Sequence, residues 1–211
     1  MSDFWRRWLG PALAVAACSL AVTAQADETI IFIRHGEKPA TGLGQLDCRG
    51  LNRALKLPGV IGAMFGRPDA ILAPDPATRK ADGGVLYDYV RPLATIEPTA
   101  IAFGLPVDAR IGFNDSVGLL AELRKSDYRD KTLLVAWEHG IINEVECTLI
   151  TGSGCDFEKD GGGGKKSGEV VKWSRDDFDR IDIVRIGASG KGTTIETKSE
   201  GLNGQPDVCP R

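Results

Sequence analysis

Three short apolar runs constrain this chain more than any other feature. They are "ETIIFI" (residues 28–33), "DAILAP" (69–74) and "KTLLVAW" (131–137). Each is almost unbroken in its hydrophobicity, with no polar side to turn to water. Such a run predicts a strand buried on both faces of a sheet. The segments between them have helical character. One helix is expected to open at "LDCRGLNRAL" (46–55), with Asp47 as its cap and Pro58 ending or kinking it. Another covers "YVRPLATIEPTAIAFGL" (89–105), where Pro92 suits the first turn and Pro98 predicts a kink. "SVGLLAELRKSDY" (116–128) and "IINEVECTLI" (141–150) read as two more. "PVDARI" is a weak strand, "PATRKADGG" (76–84) a loop by composition, and "FDRIDIVRI" with "TTIETK" an antiparallel pair at the sheet edge. Buried strands alternating with helices predict an α/β fold with a mainly parallel central sheet.

In such a sheet, ligands bind at the carboxyl ends of the strands. The whole chain has two histidines, and both fall there. His35 follows the first buried run in "Arg34-His35-Gly36-Glu37", and His139 follows the third in "Trp137-Glu138-His139-Gly140". One histidine at a strand end would ordinarily be a packed or capping residue. Two of them, each between a buried strand and a glycine, are expected to meet at one edge if their strands are neighbours. Arg34 adjoins His35, and Arg91 opens the helix that follows the second run. An arginine at a helix start opposes the helix dipole, unless it is simply a surface residue there. Two guanidiniums and two imidazoles on one edge form a recess for a dianion, and phosphate matches the paired donors of arginine.

The start of the chain is expected to be a secretory leader, residues 1–26, with the functional domain spanning 27–211. Arg6 and Arg7 precede an apolar core, and "Ala24-Gln25-Ala26" is a small-x-small cleavage site. Lipidation at Cys18 and a twin-arginine signal are competing readings. The leader is too short for a stable membrane span. The chain carries a net charge of −3, and removal of the cationic leader makes the remainder more acidic still. That argues against non-specific binding of nucleic acid. Cys48, Cys147, Cys155 and Cys209 then remain, an even number that suits two disulfides in an exported protein. The expected pairs are Cys48–Cys209, which would pin the irregular tail, and Cys147–Cys155, which would close a glycine-rich insertion at 151–168. Zinc ligation is the weaker reading, since no CxxC pair is present. Lys159, Lys165 and Lys166 of the insertion either border the cleft or belong to a solvated loop.

These pieces together resemble the histidine phosphatase superfamily, the phosphoglycerate mutase-like group. "Arg34-His35-Gly36-Glu37" is similar to its signature. "LDCRGLNRALKLP" is similar to its first helix, with Gly50 and Ala54 in place. "YVRPLATIEPTAIAFGL" is similar to its second-arginine helix through Arg91 and Thr95, and "LLVAWEHG" to its second-histidine strand end. The order holds from about residue 29 to 150. The resemblance implies a three-layer sandwich with a mainly parallel sheet. It also implies a phosphohistidine formed on His35, with Arg34, Arg91 and His139 binding the phosphoryl oxygens and no metal or cofactor.

One element departs from that pattern. Where a branch of the family has a carboxyl group directly after the second histidine, this chain has Gly140. Asp115 is the remaining candidate for the acid that protonates the leaving oxygen, although "Asn114-Asp115-Ser116" also has the look of a helix cap. Glu138 and Glu37 are rivals. The expected function is therefore an exported (periplasmic or secreted) phosphatase acting on a small phosphorylated substrate. The alternative is a non-catalytic phosphate-binding protein of the same fold. A mutase of glycolytic intermediates fits poorly with export.

Overall fold

The computed structural model describes residues 28–155, 166–167, 170–187 and 192–211. The leader proposed for 1–26, Cys18 within it, and most of the glycine-rich insertion with Lys159 and Lys165 lie outside the described residues.

The three apolar runs form β1 (Glu28–Arg34), β2 (Ala70–Asp75) and β6 (Thr132–Trp137). They lie inside a six-stranded sheet of order β10-β9-β1-β6-β2-β5, where β5 is Val107–Gly112, β9 Arg180–Ile186 and β10 Thr194–Ser199. Strands β1, β6, β2 and β5 are mutually parallel, while β9 and β10 run antiparallel at one side, as their alternating pattern implied. The interior strands are apolar on both faces because helices cover both. On one face Ile31, Ile33, Leu134 and Ala136 pack with Leu57 and Ile61 of α1 (Cys48–Phe65) and Ile96 and Ala100 of α2 (Arg91–Phe103). On the other, Ile30, Phe32, Leu133 and Val135 pack with Leu119 and Leu123 of α3 (Ser116–Leu123) and Ile142 and Val145 of α4 (His139–Thr151). Alternate residues of one strand thus serve opposite cores, and the molecule is a three-layer α/β sandwich.

Local chemistry sets the element ends. Asp47 caps α1 by accepting from the Gly50 amide at 2.9 Å. Pro58 does not end the helix, which runs on to Phe65, and Pro98 likewise sits within α2. Strand β2 runs one residue past Pro74, and its pairing with β5 shifts register between Leu72 and Pro74. The segment expected to be a loop contains a hairpin, β3 (Lys80–Asp82) and β4 (Val85–Tyr87), turned through Gly83 and Gly84 at positive φ. Its strands are too short for periodicity to register. Lys166–Ser167 (β7) and Val170–Val171 (β8) make a second small hairpin.

Both expected disulfides are present, Cys48–Cys209 and Cys147–Cys155. The first joins residues 161 apart in sequence and fastens the tail to the start of α1, where Asn52 also donates to the carbonyls of Pro206 and Val208. No helix among the described residues is long and apolar enough to cross a membrane.

Candidate active site

Strands β1 and β6 are neighbours, with Arg34 opposite Trp137 in register. The His35 amide donates to the Trp137 carbonyl at 3.2 Å. The two strand ends therefore lie side by side, and the residues that follow them, His35 and Glu138-His139, start from one edge of the sheet.

His35 is buried, and its ring is oriented by one bond. Nδ1 lies 2.7 Å from the Gly36 carbonyl oxygen. A carbonyl can only accept, so Nδ1 carries the hydrogen and the neutral ring keeps its lone pair on Nε2. Burial, and then the charges of Arg34 and Arg91, hold the imidazole well below the ordinary histidine range. A neutral, tautomerically fixed ring is a nucleophile at any ordinary pH.

The turn after His35 explains its glycine. A side chain at Gly36 would sit 3.0 Å from the Gly50 backbone of α1, and a side chain at Gly50 would in turn collide with the Glu37 backbone. The Gly36 amide donates to Thr95 Oγ1 at 2.9 Å, and that hydroxyl donates to the Arg91 carbonyl at 2.8 Å. Thr95 thus ties the loop that follows His35 to the first turn of α2, where Arg91 stands.

Both predicted arginines are buried beside the histidine. Arg34 stacks over the Phe178 ring at 4.0 Å. Its Nη1 is held by the carbonyls of Ser174, Arg175 and Asp177 at 3.3, 2.5 and 3.1 Å. Arg91 pairs with Asp82 of the hairpin and lies 4.9 Å from the Tyr89 ring centre. The dipole cost of an arginine at a helix start is thereby offset by a carboxylate. In both guanidiniums Nε is buried without a hydrogen-bond partner among the described residues, and so is the hydroxyl of fully buried Tyr89. The rings of His35 and Tyr89 meet edge-on at 6.0 Å, and His35 lies equally far from Phe178. Arg34 and Arg91 place their charges close enough to act on the His35 ring, and Tyr89 packs against it. Leaving such donors unsatisfied costs about 1–3 kcal/mol each.

His139 is the first residue of α4. Its Nδ1 lies 2.8 Å from Glu138 Oε1, within ion-pair range but without hydrogen-bond geometry. Glu138 caps the helix by accepting from the amides of Gly140 (2.8 Å) and Ile141 (3.2 Å). The α4 amides that an anion could have used are therefore already occupied by this carboxylate. Burial pushes the Glu138 carboxyl up, but His139, Lys80 and the Ile141 amide outweigh it and hold it well below the usual range.

The other proposed acids are engaged elsewhere. Glu37 makes a two-bond pair with Arg53 at 2.9 and 2.7 Å, beneath the loop and away from the recess. Asp115 is exposed and caps α3, Oδ1 accepting from Gly118 at 2.7 Å. The sequence reading did not select Lys80, Tyr89, Phe113 or Phe178. Lys80 reaches Glu138 Oε1 at 3.4 Å and sits over the rings of Tyr89 (5.1 Å) and Phe113 (4.9 Å). The only local signal was a lysine near Arg91 in a polar segment, which sequence cannot separate from a solvated loop.

No family model matches the chain, and no curated protein matches it in sequence. Solved structures do match. A candidate phosphohistidine phosphatase, SixA, from Nakamurella multipartitia superposes with a TM-score of 0.50 at 15% identity, covering 82% of this chain and 94% of its own. The candidate SixA of Agrobacterium tumefaciens gives 0.47 at 12% identity, covering 82% and 98%. A mycobacterial glucosyl-3-phosphoglycerate phosphatase bound to inorganic phosphate gives 0.49 at 14%, covering 81% and 95%. At these identities the likeness is one of fold, and the chain has the phosphoglycerate mutase-like fold of the Nakamurella protein.

Proposed function

We propose that the protein is a phosphatase of the histidine phosphatase superfamily that hydrolyses a phosphomonoester through a phosphohistidine on His35. The observation that carries this reading is the Nδ1-anchored His35, subject to the charges of both Arg34 and Arg91, at the strand edge it shares with the Glu138-His139 turn. His35 Nε2 attacks phosphorus, the ester oxygen leaves, and water then displaces the phosphoryl group from the histidine. Arg34, Arg91 and His139 stabilise the equatorial oxygens, so catalysis rests on positioning and charge. These groups come from the chain itself, and the proposed reaction needs no metal. The fold match to a candidate phosphohistidine phosphatase supports a phosphatase reading. Export is part of the proposal. It is supported by the two disulfides and by the leader-like sequence of residues 1–26.

The test is a screen of phosphate esters with residues 27–211 in the presence of a chelator. Turnover is expected to persist unchanged. Complete loss on chelation, restored by a divalent metal, would overturn the mechanism.

The cap contact of Asp115 supports a capping role, which two variants test. Asn caps nearly as well as Asp, so Asp115→Asn is expected to leave stability and turnover nearly unchanged. Asp115→Ala is expected to cost about 1 kcal/mol in a urea melt, with aryl and alkyl phosphates affected alike. A loss in Asp115→Asn confined to alkyl phosphates would give the carboxyl its catalytic role instead.

A further inference from the structure

A phosphatase cleaving an unactivated alkyl ester needs a proton for the departing oxygen, and the three carboxylates considered for that role are each bound to other groups. Glu37 is paired with Arg53, Asp115 caps α3, and Glu138 is held ionised among His139, Lys80 and the α4 amides. We propose that Lys80, on the β3–β4 hairpin, is the catalytic acid that protonates the leaving-group oxygen. This rests on the phosphatase reading of the same site.

The hairpin is bound into the site at two points. Asp82 pairs with Arg91 and also accepts from Lys38 at 2.8 Å, and Lys80 bonds Glu138 from the other side. The Lys80 side chain is only about a quarter exposed. It rests on Tyr89 and Phe113, whose rings stand 5.0 Å apart, and Tyr89 in turn contacts the His35 ring. Two aromatic faces and one carboxylate hold the ammonium, and one of those rings, Tyr89, also packs against His35. Of the neighbouring cations, Arg34 and Arg91 cannot release a proton at ordinary pH. An ammonium can, and burial followed by Arg91 draws this one below the usual lysine range, against the pull of Glu138 and Asp82.

The step balances. As the His35 Nε2–P bond forms, the P–O bond to the leaving group breaks. The leaving oxygen keeps the electron pair and takes a proton from Lys80, which becomes a neutral amine. In the second step water attacks phosphorus, the P–N bond breaks with its electron pair returning to His35 Nε2, both water protons stay on the released phosphate, and Lys80 regains its proton from solvent. Glu138 remains an anion throughout, keeping the ammonium oriented.

The experiment compares p-nitrophenyl phosphate, whose phenolate leaves without help, with glycerol phosphate, whose alkoxide does not. Lys80→Met and Lys80→Arg are assayed against the intact chain across pH. Both variants are expected to lose ~10²–10⁴-fold on glycerol phosphate and little on the aryl ester, which also reports that they fold. On glycerol phosphate the intact chain should show an alkaline decline below the lysine reference of 10.5, and both variants should lack it. Recovery of glycerol phosphate turnover by arginine would show that only a cation is needed, and equal losses on both esters would show a structural role. Either result overturns the proposal while leaving phosphoryl transfer to His35 intact. Absence of turnover of both esters by the intact chain would instead remove the phosphatase reading and this proposal with it.

Discussion

Replacing His35 by alanine is expected to abolish turnover, by ~10⁴-fold or more on the scale seen when an enzyme's nucleophile is deleted. Binding of vanadate is expected to survive in part. The reason is a division of labour visible in the contacts. His35 has a buried ring anchored through Nδ1 on the Gly36 carbonyl, whereas the cationic donors stand on separate elements, Arg34 at the end of β1 and Arg91 at the start of α2. Loss of the imidazole removes the covalent route without removing those charges. His139→Gln should behave differently, as a slower enzyme that still acquires phosphate on His35. The measurement is quenching without acid after mixing with a phosphorylated substrate, then mass spectrometry of the peptides around both histidines. Label on the peptide of His139, or undiminished turnover in His35→Ala, would defeat the mechanism. No label and no turnover in the intact protein, with tight vanadate binding, would favour a phosphate-binding protein.

The largest effect on stability is expected at Arg53. Its side chain has no exposure, yet it faces Glu37, Asp179 (3.1 Å) and Glu200 (2.5 Å). Asp179 also accepts from the amides of Gly201 and Leu202 and from Ser199, so one guanidinium joins α1, the loop after His35 and the start of the tail. Arg53→Met keeps volume and removes the charge, leaving buried carboxylates without their partner. A loss of about 3–5 kcal/mol is expected, read as a lower urea midpoint at unchanged slope. A change below about 1 kcal/mol would place the network among pairs worth no more than surface ones. The same network sets a pH dependence. Burial pushes the Glu200 carboxyl up to about 8, with Arg53 opposing and Asp179 and Glu37 adding to it. A raised folded value means that the contribution of Glu200 is fully present below the reference of 4.5 and lost as pH rises through 8. Glu200→Gln should flatten the stability profile across that window.

How far the molecule was legible from its sequence depended on the range of the interaction. The apolar runs at 28–33, 69–74 and 131–137 determined the buried strands, because a residue with no polar neighbour in its own run can only be inside. Alternation at 178–186 and 193–198 marked the antiparallel edge for the same local reason. Two histidines placed just after such runs determined the edge where a site would form, and the even cysteine count pointed to the disulfides. The hairpin at 80–87, by contrast, has strands of three residues each, too short for any period to show. Lys80 therefore could not be told from a solvated lysine until Glu138, Tyr89 and Phe113 were seen against it. Asp115, Glu37 and Glu138 were equal as carboxylates in the sequence. Tertiary structure separated them by giving each a different partner: the Gly118 amide, Arg53, and the Lys80–His139 pair. What a side chain does once it is inside depends on the partners packed against it, some adjacent in the chain and some as far apart as Arg53 and Glu200, 147 residues, and that pairing is decided by packing.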